Sequence, residues 1–248
     1  MRTLSLAVVF CAAAAAQTFS EPPALVRVIR TAAPDPGAAA RYAGSGAMSV
    51  IGMSALTGAA ESWLIEAHGS FAGVERADRA LRPMGAVTGF TGEPATGSAF
   101  PPASWLAVHR PGLGYRPAEA IQALGKARYF QALVFHVPPE SEADFVDAIH
   151  ARKVSMDGMN LERPEMAYQV ISGAPTVTYL FLAPLASLTT FDEVLTRVPQ
   201  YVRATTKIAA AGNLSHQNLL FRVEPAMSVV ADDIAERDPE FWRPGGPR

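Results

Sequence analysis

Histidine is the side chain of this sequence whose chemistry is most readily used near neutral pH, because a free imidazole titrates near pH 6.5. The chain has five histidines, and no two of them lie three or four residues apart, as a local metal site on a helix requires. They are His68, His109, His136, His150 and His216. The sequence therefore contains no local metal-binding motif.

Two of these histidines differ from the others in their surroundings. His109 and His136 each end a predicted strand among apolar neighbours. Such a histidine can act as a general base or a haem ligand, or it can be a hydrogen-bonded structural group. His68 and His216 lie at the ends of predicted elements, and His150 lies on a predicted helix, so we expect these three at the surface.

Strand parity predicts which way His136 points. Alternation along the predicted strand 129–137 places it on one face with Phe130, Ala132 and Val134. The opposite face is bulkier and better suited to packing on helices. We therefore expect His136 to face a cavity together with at least one further polar or aromatic strand residue. The predicted pocket-lining residues are His136, His109, Trp63 and Tyr168.

Other catalytic signatures are missing from the sequence. There is no glycine-rich phosphate loop after a strand, no His-Glu-x-x-His, no Gly-x-Ser-x-Gly and no Asp-rich calcium loop. The one cysteine, Cys11, lies within a predicted leader. No catalytic residue can be assigned, no metal site is predicted, and whether the protein is an enzyme stays open.

Composition restricts the class of protein. The chain has 248 residues, 49% of them hydrophobic, which excludes a disordered chain. Its 21 basic residues against 23 acidic ones argue against a nucleic-acid partner, which would require a basic surface.

The N-terminus predicts export. Residues 1–16 combine Arg2, an apolar run and a run of alanines ending at Ala16, which is typical of a signal peptide cleaved after that residue. The run is too short to span a membrane, and no later stretch is long enough. We expect a periplasmic or secreted protein without stable membrane insertion.

The rest of the chain divides into two similar halves, residues 17–117 and 118–248. Each half predicts the order strand, helix, strand, turn, strand, helix, strand, and the turn 57–60 matches the turn 172–175. The first half contains a long Gly/Pro loop at 83–103, and the second ends in a C-terminal tail. The first helix of the first half is short and is broken by Gly44 and Gly46.

This element order predicts an α+β fold. A βαββαβ unit is the ferredoxin-like motif, with both helices on one face of an antiparallel sheet. Both faces of strand 129–137 are apolar, so both should be buried. The simplest cover for the second face is the sheet of the other half. The prediction is therefore of tandem ferredoxin-like βαββαβ repeats that form an intrachain, pseudo-dimeric α/β barrel, as a monomer or a homodimer.

Several stretches resemble a known superfamily. Residues 55–71, 106–111, 126–130 and 168–173 and the Asp-Pro-Glu-Phe-Trp tail are similar to uncharacterised exported bacterial proteins of the dimeric α/β-barrel superfamily. That superfamily includes antibiotic-biosynthesis-monooxygenase-like and NIPSNAP-like domains. The resemblance covers residues 25–244 and carries over no catalytic motif.

Three functions follow as alternatives. The first is binding of a small apolar molecule between the two sheets. The second, implied by the resemblance, is a monooxygenase, cofactor-free or haem-dependent, that uses His109 or His136. The third is a structural protein that docks a partner. No cofactor is implied by a motif, and haem enters only through the superfamily.

Overall fold

The structure is a computed structural model that describes residues 19–82, 103–192 and 215–243. The predicted signal peptide 1–16 lies outside the described residues. So do nearly all of the predicted loop 83–103 and most of the helix predicted from Phe191 onward.

The described chain contains strands throughout, separated by helices of very different length. The strands are β1 (Leu25–Thr31), β2 (Ser49–Ala55), β3 (Ser62–His68), β4 (Ala103–His109), β5 (Tyr129–Val137), β6 (Met166–Ser172), β7 (Val177–Leu185) and β8 (Ser215–Val223). The helices are α1 (Ala38–Tyr42), α2 (Phe71–Leu81), α3 (Pro117–Leu124), α4 (Glu142–Gly158), α5 (Asp232–Ala235) and α6 (Pro239–Trp242). Within these ranges no helix is both long and apolar enough to cross a membrane.

The eight strands form one closed antiparallel barrel. Their order around it is β1-β3-β2-β8-β5-β7-β6-β4. The first four strands run β4-β1-β3-β2 and the last four run β8-β5-β7-β6, so the two halves have the same internal order. They meet where β2 pairs with β8 and β4 pairs with β6. The expected α/β barrel is confirmed as a mixed α/β protein with a closed eight-stranded barrel.

Alternation along the strands divides the core into an inside and an outside. On β5, Phe130 and Val134 belong to the cluster that fills the barrel and takes side chains from all eight strands. Leu133 and Phe135 belong to a separate cluster between the sheet and Phe145 of α4. Both faces of β5 are therefore buried, as its apolar sequence predicts.

Helices and the tail close one end of the barrel. Ile121 of α3 and Ile234 of α5 join the interior cluster there. Trp242 of α6 is buried, and its indole N–H donates to the carbonyl of Gly125 at 2.9 Å. The tail thus packs its tryptophan onto the body. The sequence analysis predicts no helix at the position of α3. The predicted boundary at 117/118 falls at the first residue of α3.

The two predicted helix caps differ. Ser70 has extended backbone angles and accepts a hydrogen bond from the Gly73 amide, so it caps α2. The spacing of Ser141 and Asp144 in the sequence predicts a capping box, but Ser141 makes no side-chain cap. That prediction is wrong because Ser141 ends a 3₁₀ turn that runs directly into α4, and its ψ of 5° is not extended.

Candidate functional site

The barrel encloses an apolar cavity at the end where β1 begins. Its volume is about 40 Å³, a few times the roughly 10–15 Å³ that a single water needs. Its wall includes Phe19, Ser49, Ala67, Phe130, Tyr168 and Leu182. Because the wall is almost wholly apolar, the cavity favours an apolar occupant over water.

Tyr168 supplies the most unusual polar group of this wall. Its side chain is fully buried, and its hydroxyl has only a weak contact, 3.9 Å from the sulfur of Met166. No nitrogen or oxygen of the described residues accepts its proton. Burial raises the pKa of Tyr168, so the side chain stays a neutral phenol. A buried hydroxyl without a good acceptor costs about 1–3 kcal/mol, which a ligand that accepts the bond would recover.

His109 lies beside Tyr168, with the two ring centroids 5.4 Å apart. Its Nε2 is buried and has no hydrogen-bond partner among the described residues. Burial lowers the pKa of His109, although Glu21 opposes the shift. His109 is therefore a neutral imidazole near pH 7.

Trp63 lies in the packed interior rather than in the cavity wall. It is completely buried, and its ring centroid lies 4.7 Å from that of Phe221 and 5.9 Å from that of Trp105. The Arg30 guanidinium lies 5.3 Å from the Trp63 ring centroid and is paired with Glu61 at 2.8 Å. These contacts explain the position of Trp63 by packing and cation–π attraction alone.

His136 is separate from the cavity. Its Nδ1 lies 3.0 Å from the Thr178 hydroxyl, and it is not among the residues that line the cavity. Burial lowers the pKa of His136, and the charge of Arg30 lowers it further. Of the four predicted site residues, Tyr168 lines the cavity and His109 contacts Tyr168 without lining the cavity itself. His136 and Trp63 lie in other surroundings.

A second polar site lies on the outer face of the first four strands. Here Glu66 of β3, completely buried, pairs in register with Arg27 of β1. Arg27 donates to both carboxylate oxygens, at 2.8 and 2.9 Å. The Tyr42 hydroxyl donates at 2.6 Å, and the His68 Nε2 lies 3.1 Å away. We call Arg27, Tyr42, Glu66 and His68 the Glu66 cluster.

The charges of the Glu66 cluster hold the carboxyl group ionised. Burial raises the pKa of Glu66, but the hydrogen bonds from His68 and Tyr42 and the charge of Arg27 outweigh it, and the pKa lies below its usual range. Burial and Glu66 together raise the pKa of Tyr42. An ionised carboxylate can only accept, so Nε2 of His68 carries the proton of their bond. Its Nδ1 is buried and has no partner in the described chain.

The sequence interpretation missed this cluster. It placed His68 at the surface because the residue ends a strand, but His68 is only 1% exposed. That interpretation is wrong, since α2 follows at once and covers the strand end. The usable signal was the alternation of Glu66 and His68 within an otherwise apolar strand, which places both on one face.

Haem does not fit the barrel interior. A macrocycle requires a pocket of several hundred Å³, whereas the cavity holds about 40 Å³. Among the described residues, no three side chains of the metal-binding types converge.

Comparison with known proteins gives a result at the level of the fold. No model of a protein family matches this chain, and no curated protein matches it. Among solved structures, an anthrone oxidase-like protein matches with a TM-score of 0.50 at 11% identity, over 83% of this chain and 93% of that protein. A proposed monooxygenase from Fusobacterium nucleatum matches with a TM-score of 0.53 at 10% identity, over 82% of this chain and 93% of its own.

A mutant chlorite dismutase from Candidatus Nitrospira defluvii is also similar, with a TM-score of 0.47 at 12% identity, covering 89% of this chain and 97% of that one. Identities this low show the fold alone. The likeness to the anthrone oxidase-like protein and to the proposed monooxygenase gives this chain the dimeric α/β-barrel fold that the sequence resemblance implies.

Proposed function

We propose that the protein binds a small apolar molecule in the barrel cavity. The observation that carries this proposal is the Tyr168 hydroxyl, which is buried in an apolar wall without a nitrogen or oxygen acceptor. A ligand with an apolar body and one acceptor oxygen would fill the cavity and accept this hydrogen bond. The volume of about 40 Å³ limits the ligand to a few heavy atoms unless a wall residue moves.

Phe19 is the wall residue best placed to set this limit. It is buried in the cavity wall ahead of β1. Its backbone N–H donates to Asp233 at 2.8 Å, which holds the segment against the end of the barrel. Removing the Phe19 ring should enlarge the cavity directly.

Thermal unfolding with two matched probes tests the proposal. Cyclopentanone can accept a hydrogen bond from Tyr168, whereas cyclopentane cannot. We expect cyclopentanone to raise the melting temperature of Phe19→Ala more than that of the wild type, and Tyr168→Phe in that background to bind it about tenfold more weakly. Phe145→Ala, which removes an equally buried ring outside the barrel, is the control. The absence of any ligand-induced shift in Phe19→Ala would overturn the proposal.

We further propose that the barrel arose as tandem ferredoxin-like repeats within one chain. The shared strand order of the two halves supports this, and so do their matched turns. Gly58 and Gly173 occupy equivalent turn positions, with φ of +82° and +95°. Because the barrel closes within one chain, we expect a monomer, and light scattering that gives twice the chain mass would contradict that expectation.

Export remains part of the proposal and is supported by the composition of residues 1–16. The mature protein should begin at Gln17. N-terminal sequencing of protein recovered outside the cytoplasm tests this directly, and a start at Met1 would exclude cleavage.

A monooxygenase-like activity is the second candidate. His109 favours it, because its neutral ring lies against Tyr168 with Nε2 free to take a proton from a ligand hydroxyl. The likeness to a proposed monooxygenase supports it at the level of the fold alone. Oxygen uptake with a simple phenol, lost in His109→Gln, would support the activity. Its absence in the wild type would leave binding as the function.

A further inference from the structure

A larger pocket lies outside the barrel, where β3 ends and α2 begins. Its volume is about 270 Å³, enough for a small metabolite-sized ligand. The residues that shape it are Met48, His68, Gly69, Ser70, Gly73 and Arg76. It is lined by polar groups as well as by small residues, so it differs in chemistry from the barrel cavity.

Positive charge converges on this pocket. Ser70 and Gly73, at the amino end of the eleven-residue helix α2, line it, so the positive end of the helix dipole lies beside it. Arg76 also lines it and has no ion-pair partner within the described chain. The later arginines of the same helix, Arg79 and Arg82, are each paired with an acidic residue four positions earlier. Arg76 is thus the cation of α2 that remains available for a ligand.

His68 provides the second, independent observation. Its side chain is fully buried and lines the pocket, and Nδ1 has no partner in the described chain. An orphaned ring nitrogen at this depth costs free energy unless a ligand satisfies it. Nε2 cannot turn to serve instead, because its hydrogen bond to Glu66 holds the ring in place.

Gly73 keeps space between these groups. A Cβ at this position would lie 3.7 Å from Nη2 of Arg76 and 3.7 Å from Nδ1 of His68. These are ordinary van der Waals distances, so a methyl group would fit and would occupy the space between the two nitrogens. Glycine is unfavourable inside a helix by roughly 0.5–1 kcal/mol, and its backbone here does not require a positive φ.

The net charge around the pocket favours an anion. The negative charge of Glu66 is matched by Arg27, which contacts both carboxylate oxygens. Arg76 and the amino end of α2 are then the uncompensated charges at the pocket. A cation would meet only like charge there, and a neutral apolar ligand would leave Nδ1 of His68 unsatisfied.

We propose that this pocket binds a small oxyanion, a carboxylate or a phosphate group, between Arg76, His68 and the first turn of α2. This site is independent of the barrel cavity and does not rest on the proposed apolar ligand. Arg76 supplies the charge, and the amino end of α2 adds the positive end of its dipole. Nε2 of His68 already donates to Glu66, so Nδ1 accepts a hydrogen bond from a ligand oxygen that keeps a proton, as on a phosphate, and donates to a carboxylate only if the ring takes a second proton.

Titration calorimetry at constant ionic strength tests the proposal, with inorganic phosphate in one arm and acetate in the other, against chloride. We expect millimolar or tighter binding of at least one of the two anions. Preference between the arms identifies which oxyanion the site recognises. If neither anion binds better than chloride, the proposal is overturned.

Two pairs of variants locate the binding. Arg76→Gln should weaken it about tenfold, whereas Arg79→Gln on the same helix should leave it unchanged. Gly73→Ala should raise the melting temperature, because alanine suits a helix better than glycine, and yet weaken binding severalfold by filling the space. Gly158→Ala in α4, where a Cβ would meet nothing within 4 Å, should leave binding unchanged. Full binding by both Arg76→Gln and Gly73→Ala would overturn the assignment.

Discussion

The outer faces of the two halves of the barrel are both covered by helices, but they carry different side chains at equivalent positions. In the first half, Arg27 pairs in register with Glu66 on the two central strands. In the second half, the equivalent pair is Gln131 with Ala183, and Gln131 accepts a hydrogen bond from the buried Arg163. Both pairs lie at the third residue of their first strand, so the barrel itself does not require buried charges at this position. A buried carboxylate at this position is therefore particular to the first half, whereas the second half buries Arg163 there.

The helices that cover these faces also differ, because the helix of the second half is much longer than that of the first. In the second half, α4 extends over 17 residues and packs Phe145 and Ile149 onto the sheet. In the first half, α1 has only 5 residues, and the chain leaves it through Gly44 and Gly46, both with positive φ. Short cover leaves room for the pocket beside His68. Both halves bury charged side chains, since Arg152 of α4 pairs with the buried Glu165 in the second half, and the open pocket beside His68 is what distinguishes the first half.

Deleting Glu66 should have the largest effect on stability. Glu66→Ala leaves the Arg27 charge and the Tyr42 hydroxyl without their acceptor, and we expect a loss of about 3–5 kcal/mol in the free energy of unfolding. Denaturant unfolding measures it. Glu61→Gln, at the partly exposed pair with Arg30, is the matched control and should cost about 1 kcal/mol or less. Equal losses in both variants would show that the buried Glu66 cluster contributes no more to stability than the partly exposed Arg30–Glu61 pair.

Replacing the polar residues of the first outer face with those of the second should reduce the free energy of unfolding by less than Glu66→Ala does. The variant Arg27→Gln, Glu66→Ala, His68→Leu places the residues of the second half at the equivalent positions and leaves no buried charge unpaired. We expect it to fold with a loss of about 1–2 kcal/mol, because paired removal avoids the uncompensated ion. Anion binding should disappear. A loss as large as that of Glu66→Ala would mean that the two faces are not interchangeable.

Acid should remove the stability that ionised Glu66 gives the first face, and this loss should be smaller than those of the substitutions above. The fold lowers the pKa of Glu66, so its contribution is complete above the unfolded value, near 4.5, and is lost as the pH falls through the folded pKa. Wild type should therefore lose more stability than Glu66→Gln as the pH falls below about 4.5. His109 and His136 also have lowered pKa values, so they reduce the stability as the pH falls below about 6.5, before Glu66 begins to titrate. This loss is the same in both proteins. Parallel stability curves below pH 4.5 would contradict this assignment.

The contrast between the halves also separates what the sequence could predict from what it could not. Apolar alternation predicted β5 with its observed bounds and its two buried faces, because burial on both sides leaves a local pattern. The Glu66 cluster has no such pattern, since Arg27 and Glu66 lie 39 residues apart and meet only through strand pairing. For a related reason the sequence predicts a strand only over 219–223: residues 215–218 are exposed and polar, and it is pairing with β5 that makes them part of β8.

The site residues show the same limit. Strand parity placed His136 on the face of Phe130 and Val134. It does not predict whether the imidazole of a strand histidine has a hydrogen-bond partner on the neighbouring strand. Thr178, directly opposite on β7, already occupies Nδ1 of His136. For His109 the neighbouring strand presents Tyr168 instead, and Nε2 stays free. These differences arise from cross-strand partners, which a single sequence does not identify.

The smallest expected difference concerns the two serines that precede α2 and α4. Ser70 caps α2 through a hydrogen bond from the Gly73 amide at 3.3 Å, whereas Ser141 makes no such bond. Ser70→Ala should therefore cost about 0.5–1 kcal/mol in thermal or denaturant unfolding, and Ser141→Ala close to nothing. Because Ser70 also lines the anion pocket, its variant should weaken phosphate or acetate binding, while Ser141→Ala leaves it intact. Equal effects of the two substitutions on binding would show that the amino end of α2 takes no part in the site, and would leave Arg76 and His68 as its only anchors.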